Sequence, residues 1–175
     1  MLPPQPTDLD LLRRARHGEA RAFHALVDRY ARPMFGLAYS MLGNAADAED
    51  VVQETFAGAF KSLKTFEERS SVKTWLSRIL VNQVARLRRG AGPKNASLDE
   101  ARPADLNTGS DAKLDLAATL QKLSAEHREV IVLREIERLS YDEIASVLDL
   151  PRGTVESRLH RARESLREKL AGYLD

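Results

Sequence analysis

Apolar residues recur at spacings of three and four along almost the whole chain, and no alternating strand pattern survives over five residues. The pattern predicts an all-α fold, with helices over about 8–17, 19–42, 45–64, 72–89, 113–122, 125–137, 140–148 and 152–171. Pro33 interrupts the second of these and is expected to bend it, because proline lacks the amide that would bond one turn back. From Gly90 to Asp111 the periodicity lapses into Gly, Pro, Asn, Ser and Asp. A structureless stretch of about 20 residues is unusual inside one domain. It reads as a flexible linker over 93–112 between two small helical domains, 1–92 and 113–175.

The second module has the pattern of a helix-turn-helix. Ser140-Tyr-Asp-Glu143 is a capping box opening a short amphipathic helix that carries Ile144, Ala145 and Leu148. Asp149-Leu150-Pro151 then makes a tight turn, with Asp149 suited to the left-handed conformation and Pro151 to a helix start. In the last helix Val155, Leu159, Ala162, Leu166 and Leu170 define a buried stripe. The opposite face presents Glu156, Ser157, His160, Arg161 and Glu164, flanked by Arg152, Arg158, Arg163 and Arg167. A short helix, a tight turn and a longer basic helix form the geometry that seats a recognition helix in the major groove. Arg161 can donate two bonds to guanine, Ser157 and His160 reach base edges, and the flanking arginines suit phosphates. Gly153 and Thr154 sit where free amides and a hydroxyl can hold a phosphate. Glu156 has two readings, acceptance from cytosine or pairing with His160 one turn on. The helix as a whole also admits a plainer reading, a solvated basic face on a bundle.

In the first module, Asp47, Asp50 and Glu54 share one helical face at spacings of three and four, with Gln53 beside them. Such a stripe is either solvated or docks a basic partner. As a metal site it is poor, because none of His17, His24, His127 and His160 lies at ligand spacing. A polar loop, Phe66 to Ser71, precedes a helix in which Trp75, Leu76, Ile79, Leu80 and Val84 lie mostly on one side. That placement makes Trp75 either a core residue or a ligand contact. Lys73, Arg78, Asn82, Arg86 and Arg89 follow another face, a mixture that suits a nucleic-acid backbone with a base or two inspected beside it.

Composition first argues against nucleic acid, since 27 basic and 26 acidic residues leave a net charge of +1. The charge is segregated, however. Residues 1–92 carry 14 bases and 10 acids, and residues 114–175 carry 10 and 12. In each module an acidic stretch precedes a basic one: 44–54 then 73–89, and 114–149 then 151–169. The absence of cysteine excludes disulfides, thiolate catalysis and Cys-ligated zinc. No apolar run approaches the ~18 residues of a membrane span, and the first residues lack the blocks of a signal peptide, so the expected location is the cytoplasm.

These motifs together resemble the extracytoplasmic-function (ECF) sigma factors, which direct bacterial RNA polymerase to promoters. The resemblance rests on Asp47-Ala-Glu-Asp-Val-Val-Gln-Glu-Thr-Phe56, on Thr74-Trp-Leu76 to Asn82, on Leu139-Ser-Tyr-Asp-Glu-Ile-Ala145, and on Gly153-Thr-Val-Glu-Ser-Arg-Leu-His-Arg-Ala-Arg163. It implies that Asp47, Glu49, Asp50, Gln53, Glu54 and Phe56 bind a coiled coil of core polymerase. It further implies that a loop with Phe66, Arg69, Ser70 and Ser71 traps an unstacked base of the minus-ten element, beside Lys73, Trp75, Arg78, Asn82 and Arg86. The minus-thirty-five element falls to Glu156, Ser157, His160 and Arg161, with Arg152, Gly153, Thr154, Arg158 and Arg163 around them. Core polymerase and promoter DNA are thus the implied partners, and the family's usual regulator, a membrane-linked anti-sigma factor clamping both modules, is a further one. No cofactor, metal or catalytic residue is expected. Glu68, Val72, Arg86, Glu156 and Asp149 depart from the family's common residues, which leaves the promoter sequence open. Two other classes compete: an autonomous helix-turn-helix regulator, and a metal-dependent hydrolase built on the carboxylates of 47–54.

Overall fold

Short polar residues stand where the helices begin. Thr7 and Asp10 form a reciprocal capping box, Asn44 accepts from the Asp47 amide at 3.0 Å, and Ser124 accepts from the His127 amide at 3.3 Å. The expected Ser140–Glu143 box is present, with bonds of 3.2 and 2.8 Å. Each such cap contributes about 1 kcal/mol to its helix. The computed structural model describes residues 5–90 and 111–171, and every regular element in them is helical. The first set is α1 (Asp8–Arg16), α2 (Ala20–Leu42), α3 (Ala45–Ser62), a 3-10 turn (Leu63–Thr65) and α4 (Val72–Gly90). The second is α5 (Asp111–Gln121), α6 (Ala125–Ile131), a π-helical turn (Val132–Ile136), α7 (Tyr141–Leu148) and α8 (Arg152–Ala171).

Three expectations need adjustment. The helix expected over 125–137 changes winding at Val132, where the Glu137 amide donates to the Val132 carbonyl at 3.0 Å, five residues back. Apolar spacing of three and four does not distinguish one π turn from one α turn. Asp111 and Ala112, expected in the linker, begin α5, and the remainder of the linker expectation lies outside the described residues. Leu170, expected at the end of the buried stripe of α8, is exposed, because the elements packed against α8 cover it only as far as Val155, Leu159 and Ala162, with Leu166 half-buried. The helix Ala20–Leu42 continues through Pro33.

The buried apolar residues form one largely aliphatic cluster that runs through both sets. Leu12, Met34, Leu37, Met41, Leu80 and Val84 are fully buried in the first, and Leu120, Leu133, Ile144 and Leu159 in the second. Burial of each such side chain favours folding by ~1.5–3 kcal/mol. The two sets also pack together, with α2 against α5 and α6 and α4 against α7. Gly43 ends α2 at φ 71°. The left-handed turn calls for glycine, and a Cβ there would stand 2.7 Å from Cδ of Gln121, so the flexible end of that side chain would have to move aside. Gln121 Nε2 in turn donates to the Ser40 carbonyl at 3.1 Å.

Candidate polymerase and nucleic-acid interfaces

On α3, burial of Ala48, Val51, Thr55, Phe56 and Ala59 turns Glu49, Asp50, Gln53 and Glu54 to solvent, while Asp47 is half-buried. Phe56 is only 8% exposed and is a core residue, which corrects its expected place in a contact surface. The aromatic that does face outward is Phe60, 59% exposed and set edge-on to Phe23 with ring centroids 5.2 Å apart. Phe60 was not singled out from the sequence, although its spacing of eleven from Glu49 and seven from Gln53 places it on their face.

The loop before α4 is tied to α1. Glu68 adopts φ 56°, a left-handed conformation uncommon for a residue with a side chain. Its carboxylate accepts from Arg13 at 2.7 Å and approaches Arg16 at 3.4 Å. Those cations, Arg13 first, hold its pKa below the ordinary carboxylate value. Arg16 also donates to the carbonyls of Leu63 at 3.1 Å and Phe66 at 2.7 Å. Phe66 is 9% exposed and packs on half-buried Trp75 with centroids 4.6 Å apart, so this pair forms the floor of the loop and Phe66 offers little face to a base. Arg69 and Ser71 are exposed and Ser70 is half-buried; Arg69 pairs with Glu67 at 2.7 Å. Ser71 Oγ accepts from the Thr74 amide at 3.0 Å, closing the first turn of α4.

Helix α4 has three faces. Val72, Leu76, Leu80 and Val84 enter the first core. Arg78, Asn82, Arg86 and Arg89 form an exposed row, as the sequence predicts. Between them runs a second buried line that periodicity alone did not assign: Thr74, Ser77 and Val81, at spacings of three and four. Its first member donates from Oγ1 to Oε1 of Glu143 on α7 at 3.0 Å. Glu143 is held ionised below the ordinary range chiefly by the Ser140 amide, with lesser help from the hydroxyls of Ser140 and Thr74 and the Lys73 charge, against its partial burial. Lys73, expected on the nucleic-acid face, instead bonds Glu137 through both its carboxylate (3.0 Å) and its carbonyl (2.7 Å).

In the second module Asp149 takes the left-handed conformation expected of it, φ 53° and ψ 50°. Glu156, Ser157, His160 and Arg161 are exposed on α8, opposite buried Val155, Leu159 and Ala162. Glu156 does not pair with His160. It accepts from Arg152 at 2.9 Å, Arg152 also bridges to Asp142 at 3.0 Å, and His160 lies 3.3 Å from Glu164. The pairings along α8 all share the one-turn spacing, and Arg152 offers Glu156 a guanidinium that is always charged. The Thr154 amide is not free for a phosphate, because it donates to the Pro151 carbonyl at 2.9 Å; Gly153 is exposed. Arg158 pairs with Glu126 at 3.3 Å and Arg163 with Glu135 at 2.7 Å. Among the described residues, Arg161 has no carboxylate within ion-pair distance, which leaves its guanidinium available.

Two family matches divide the chain as the helices do: Sigma-70 region 2 over residues 26–93 and Sigma-70 region 4 over residues 113–166. The chain is 36% identical to the ECF RNA polymerase sigma factor SigW of Bacillus subtilis, across 91% of this chain and 94% of that protein. The chain belongs to the ECF RNA polymerase sigma factors. Similarity to the ECF RNA polymerase sigma-E factor of Escherichia coli is 34% over 95% of each. Among solved structures, CnrH in complex with the cytosolic domain of CnrY matches this sigma factor with a TM-score of 0.73 at 34% identity, over 94% and 97% of the two chains. RpoE in complex with the anti-sigma factor NepR from Bartonella quintana gives 0.74 at 30%, over 87% and 98%. Because both modules match, and not the helix-turn-helix alone, an autonomous regulator is not favoured. No described helix of this sigma factor is long and apolar enough to cross a membrane.

Proposed function

We propose that this sigma factor divides its work among three surfaces. The first module, residues 1–92, docks core RNA polymerase through Glu49, Asp50, Gln53 and Glu54 of α3, with Asp47 at the margin. The same module engages the minus-ten element through Arg69, Ser70 and Ser71 of the loop and Lys73, Trp75, Arg78, Asn82 and Arg86 of α4. The second module, residues 113–175, reads the minus-thirty-five element with Ser157, His160, Arg161 and Glu156 of α8, while Arg152, Gly153, Arg158, Arg163 and Thr154, the last through its hydroxyl and not its amide, approach its phosphates. The protein catalyses nothing itself and acts in the cytoplasm, where polymerase and promoter are. An anti-sigma factor is a fitting regulator, in keeping with the partner named for the RpoE relative.

The observation that carries this reading is the separation of charge onto different exposed faces: carboxylates on α3, cations on α4 and an uncommitted arginine on α8. Near-neutrality overall is then what an adaptor between a basic polymerase element and DNA requires. Binding by each face is weak alone and gains strength when polymerase fixes both. Run-off transcription with purified core polymerase on a randomised promoter library tests the assignment. Recovery of templates sharing two short motifs at a fixed separation is expected, and transcription independent of this protein would contradict it.

A further inference from the structure

Arg13 and Arg16 stand one turn apart on α1 and reach the loop before α4 across 55 and 52 residues of sequence. Arg13 grips the Glu68 carboxylate with both arms of its fork, Nε to Oε1 at 3.2 Å and Nη2 to Oε2 at 2.7 Å. Two parallel bonds of this kind fix the plane of a carboxylate as well as its position. Arg16 adds its charge at 3.4 Å and donates to the Leu63 and Phe66 carbonyls at 3.1 and 2.7 Å. At the other end of the loop, Ser71 Oγ accepts from the Thr74 amide at 3.0 Å and lies 2.9 Å from its hydroxyl. The segment left between these two ties is Arg69 and Ser70. Helix α1 is itself anchored away from the loop: Asp8 pairs with Arg29 of α2 and accepts from the Tyr30 hydroxyl at 2.5 Å, and Leu11, Leu12 and Ala15 are buried. It forms a short strut between the body of the first module and the loop.

Glu68 requires such an anchor. Its φ of 56° is disfavoured for a residue with a side chain, and a loop free to relax would leave it. In this conformation the Glu68 carboxylate turns back to α1, while its neighbours Glu67 and Arg69 pair with each other at 2.7 Å on the exposed side. Two guanidiniums against that carboxylate also cancel a charge that would otherwise repel a nucleic-acid backbone. We infer that Arg13, Arg16 and Glu68 form a clasp that positions Arg69 and Ser70 and thereby sets base selection at one position of the minus-ten element. The inference rests on the proposed role of the loop at that element. The three are positioning residues, acting through the loop tip and not by touching the base. What the clasp supplies is pre-organisation: a tip held in one conformation before DNA arrives distinguishes one base from the others, whereas a tip that adapts to each base accepts several.

The probes are the fluorescein-labelled promoter duplex recovered with the wild type from the randomised library, and duplexes in which each base of its two motifs is replaced in turn. Holoenzyme assembled from core polymerase and the full chain is titrated with each, and the ratio of affinities between bases is read at every position. For the wild type a ratio of about tenfold or more is expected at one minus-ten position, the scale of a good base contact. Arg13→Glu and Glu68→Arg should each lower that ratio at the same position by at least about threefold, with ratios across the minus-thirty-five motif and affinity for core polymerase within about twofold of wild type. Arg13→Glu/Glu68→Arg, which rebuilds the pair with its charges exchanged, should recover most of the ratio. A charge effect alone would shift the affinity for all duplexes together and leave every ratio as it was, and a general loss of structure would weaken core binding as well. Either of those results, unchanged ratios in both single variants, or no recovery in the double variant overturns the clasp. If circular dichroism shows that Glu68→Arg has lost its helices, Glu68→Gly, for which the left-handed conformation is freely accessible, takes its place with the same expected loss. Arg69→Ala/Ser70→Ala tests the underlying reading. Unchanged ratios in it overturn the role of the loop and the clasp with it, whereas altered ratios in it beside unaltered ones in the clasp variants overturn the clasp alone.

Discussion

Arg128 is the residue whose loss should be most visible in stability. Its guanidinium donates to the carbonyls of Leu120 at 2.8 Å and Gln121 at 2.9 Å at the end of α5, of Leu123 at 3.0 Å just beyond it, and of Met41 at 2.7 Å at the end of α2. Burial, and then the nearby Arg88 charge, lower its pKa below the ordinary arginine value, while Glu129 opposes them. In Arg128→Met the Met41 carbonyl keeps its bond from Arg88. The Gln121 and Leu123 carbonyls lose the bonds from Arg128, whereas the Leu120 carbonyl keeps one from the Leu123 amide at 3.1 Å. Hydrogen bonds to charged groups contribute ~1.5–3 kcal/mol each, but the site is only half-buried and water replaces part of the loss. Relief of the buried charge offsets a further part. A net destabilisation of about 2–4 kcal/mol follows, a fall in Tm of about 4–16 °C for a chain of this size. Thermal and urea unfolding followed by circular dichroism measure it. Arg128→Lys, whose three donors cannot span four carbonyls, should recover less than half of the loss. Destabilisation below about 1 kcal/mol, or full recovery by lysine, would refute the argument.

Three further outcomes are expected. Arg161→Ala should lower promoter-specific binding of the holoenzyme by about 1–3 kcal/mol, the value of a bidentate base contact, as measured by competition between promoter and random DNA. Holoenzyme binding to promoter should weaken about a thousandfold or more between 50 and 200 mM salt if some six phosphates are contacted, and a flat response in a filter-binding titration would contradict the cationic faces. Glu143 has a folded-state pKa below its unfolded value, so the stability it contributes is complete above the unfolded pKa and is lost as pH falls through the folded one. Stability against urea should therefore drop on acidification below about pH 4.5, and Glu143→Gln should flatten that drop.

Much of the fold was legible in the sequence because caps and apolar spacing agree. Ser140 and Glu143, Asp149 in its left-handed turn, and the Val155–Leu159–Ala162 stripe all stand as their chemistry predicts. The exposed acidic and basic faces of α3 and α4 follow from the same periodicity. What could not be read was how far burial reaches along a face. Phe56 and Phe60 are one turn apart and alike in type, and only packing against neighbouring helices decides that the first is core and the second exposed. Nor did the sequence reveal which cations are already engaged. Lys73 meets Glu137 across 64 residues and Arg163 meets Glu135 across 28, distances over which no local rule operates. The small polar line of Thr74 and Ser77 reads as neutral in any hydropathy pattern, yet it is where α4 is buried a second time.

The division of labour between α3 and α8 is the central claim, and one paired measurement tests it. Asp50→Arg and Arg161→Ala are each titrated against core polymerase for binding, and each holoenzyme is then assayed for initiation on a promoter selected by the wild type. Asp50→Arg should weaken core binding by at least about tenfold, as expected for reversing a charge at an interface. Arg161→Ala should bind core as the wild type does and lose initiation at the promoter. Equal loss of core binding in both variants, or full initiation by Arg161→Ala, would contradict the account.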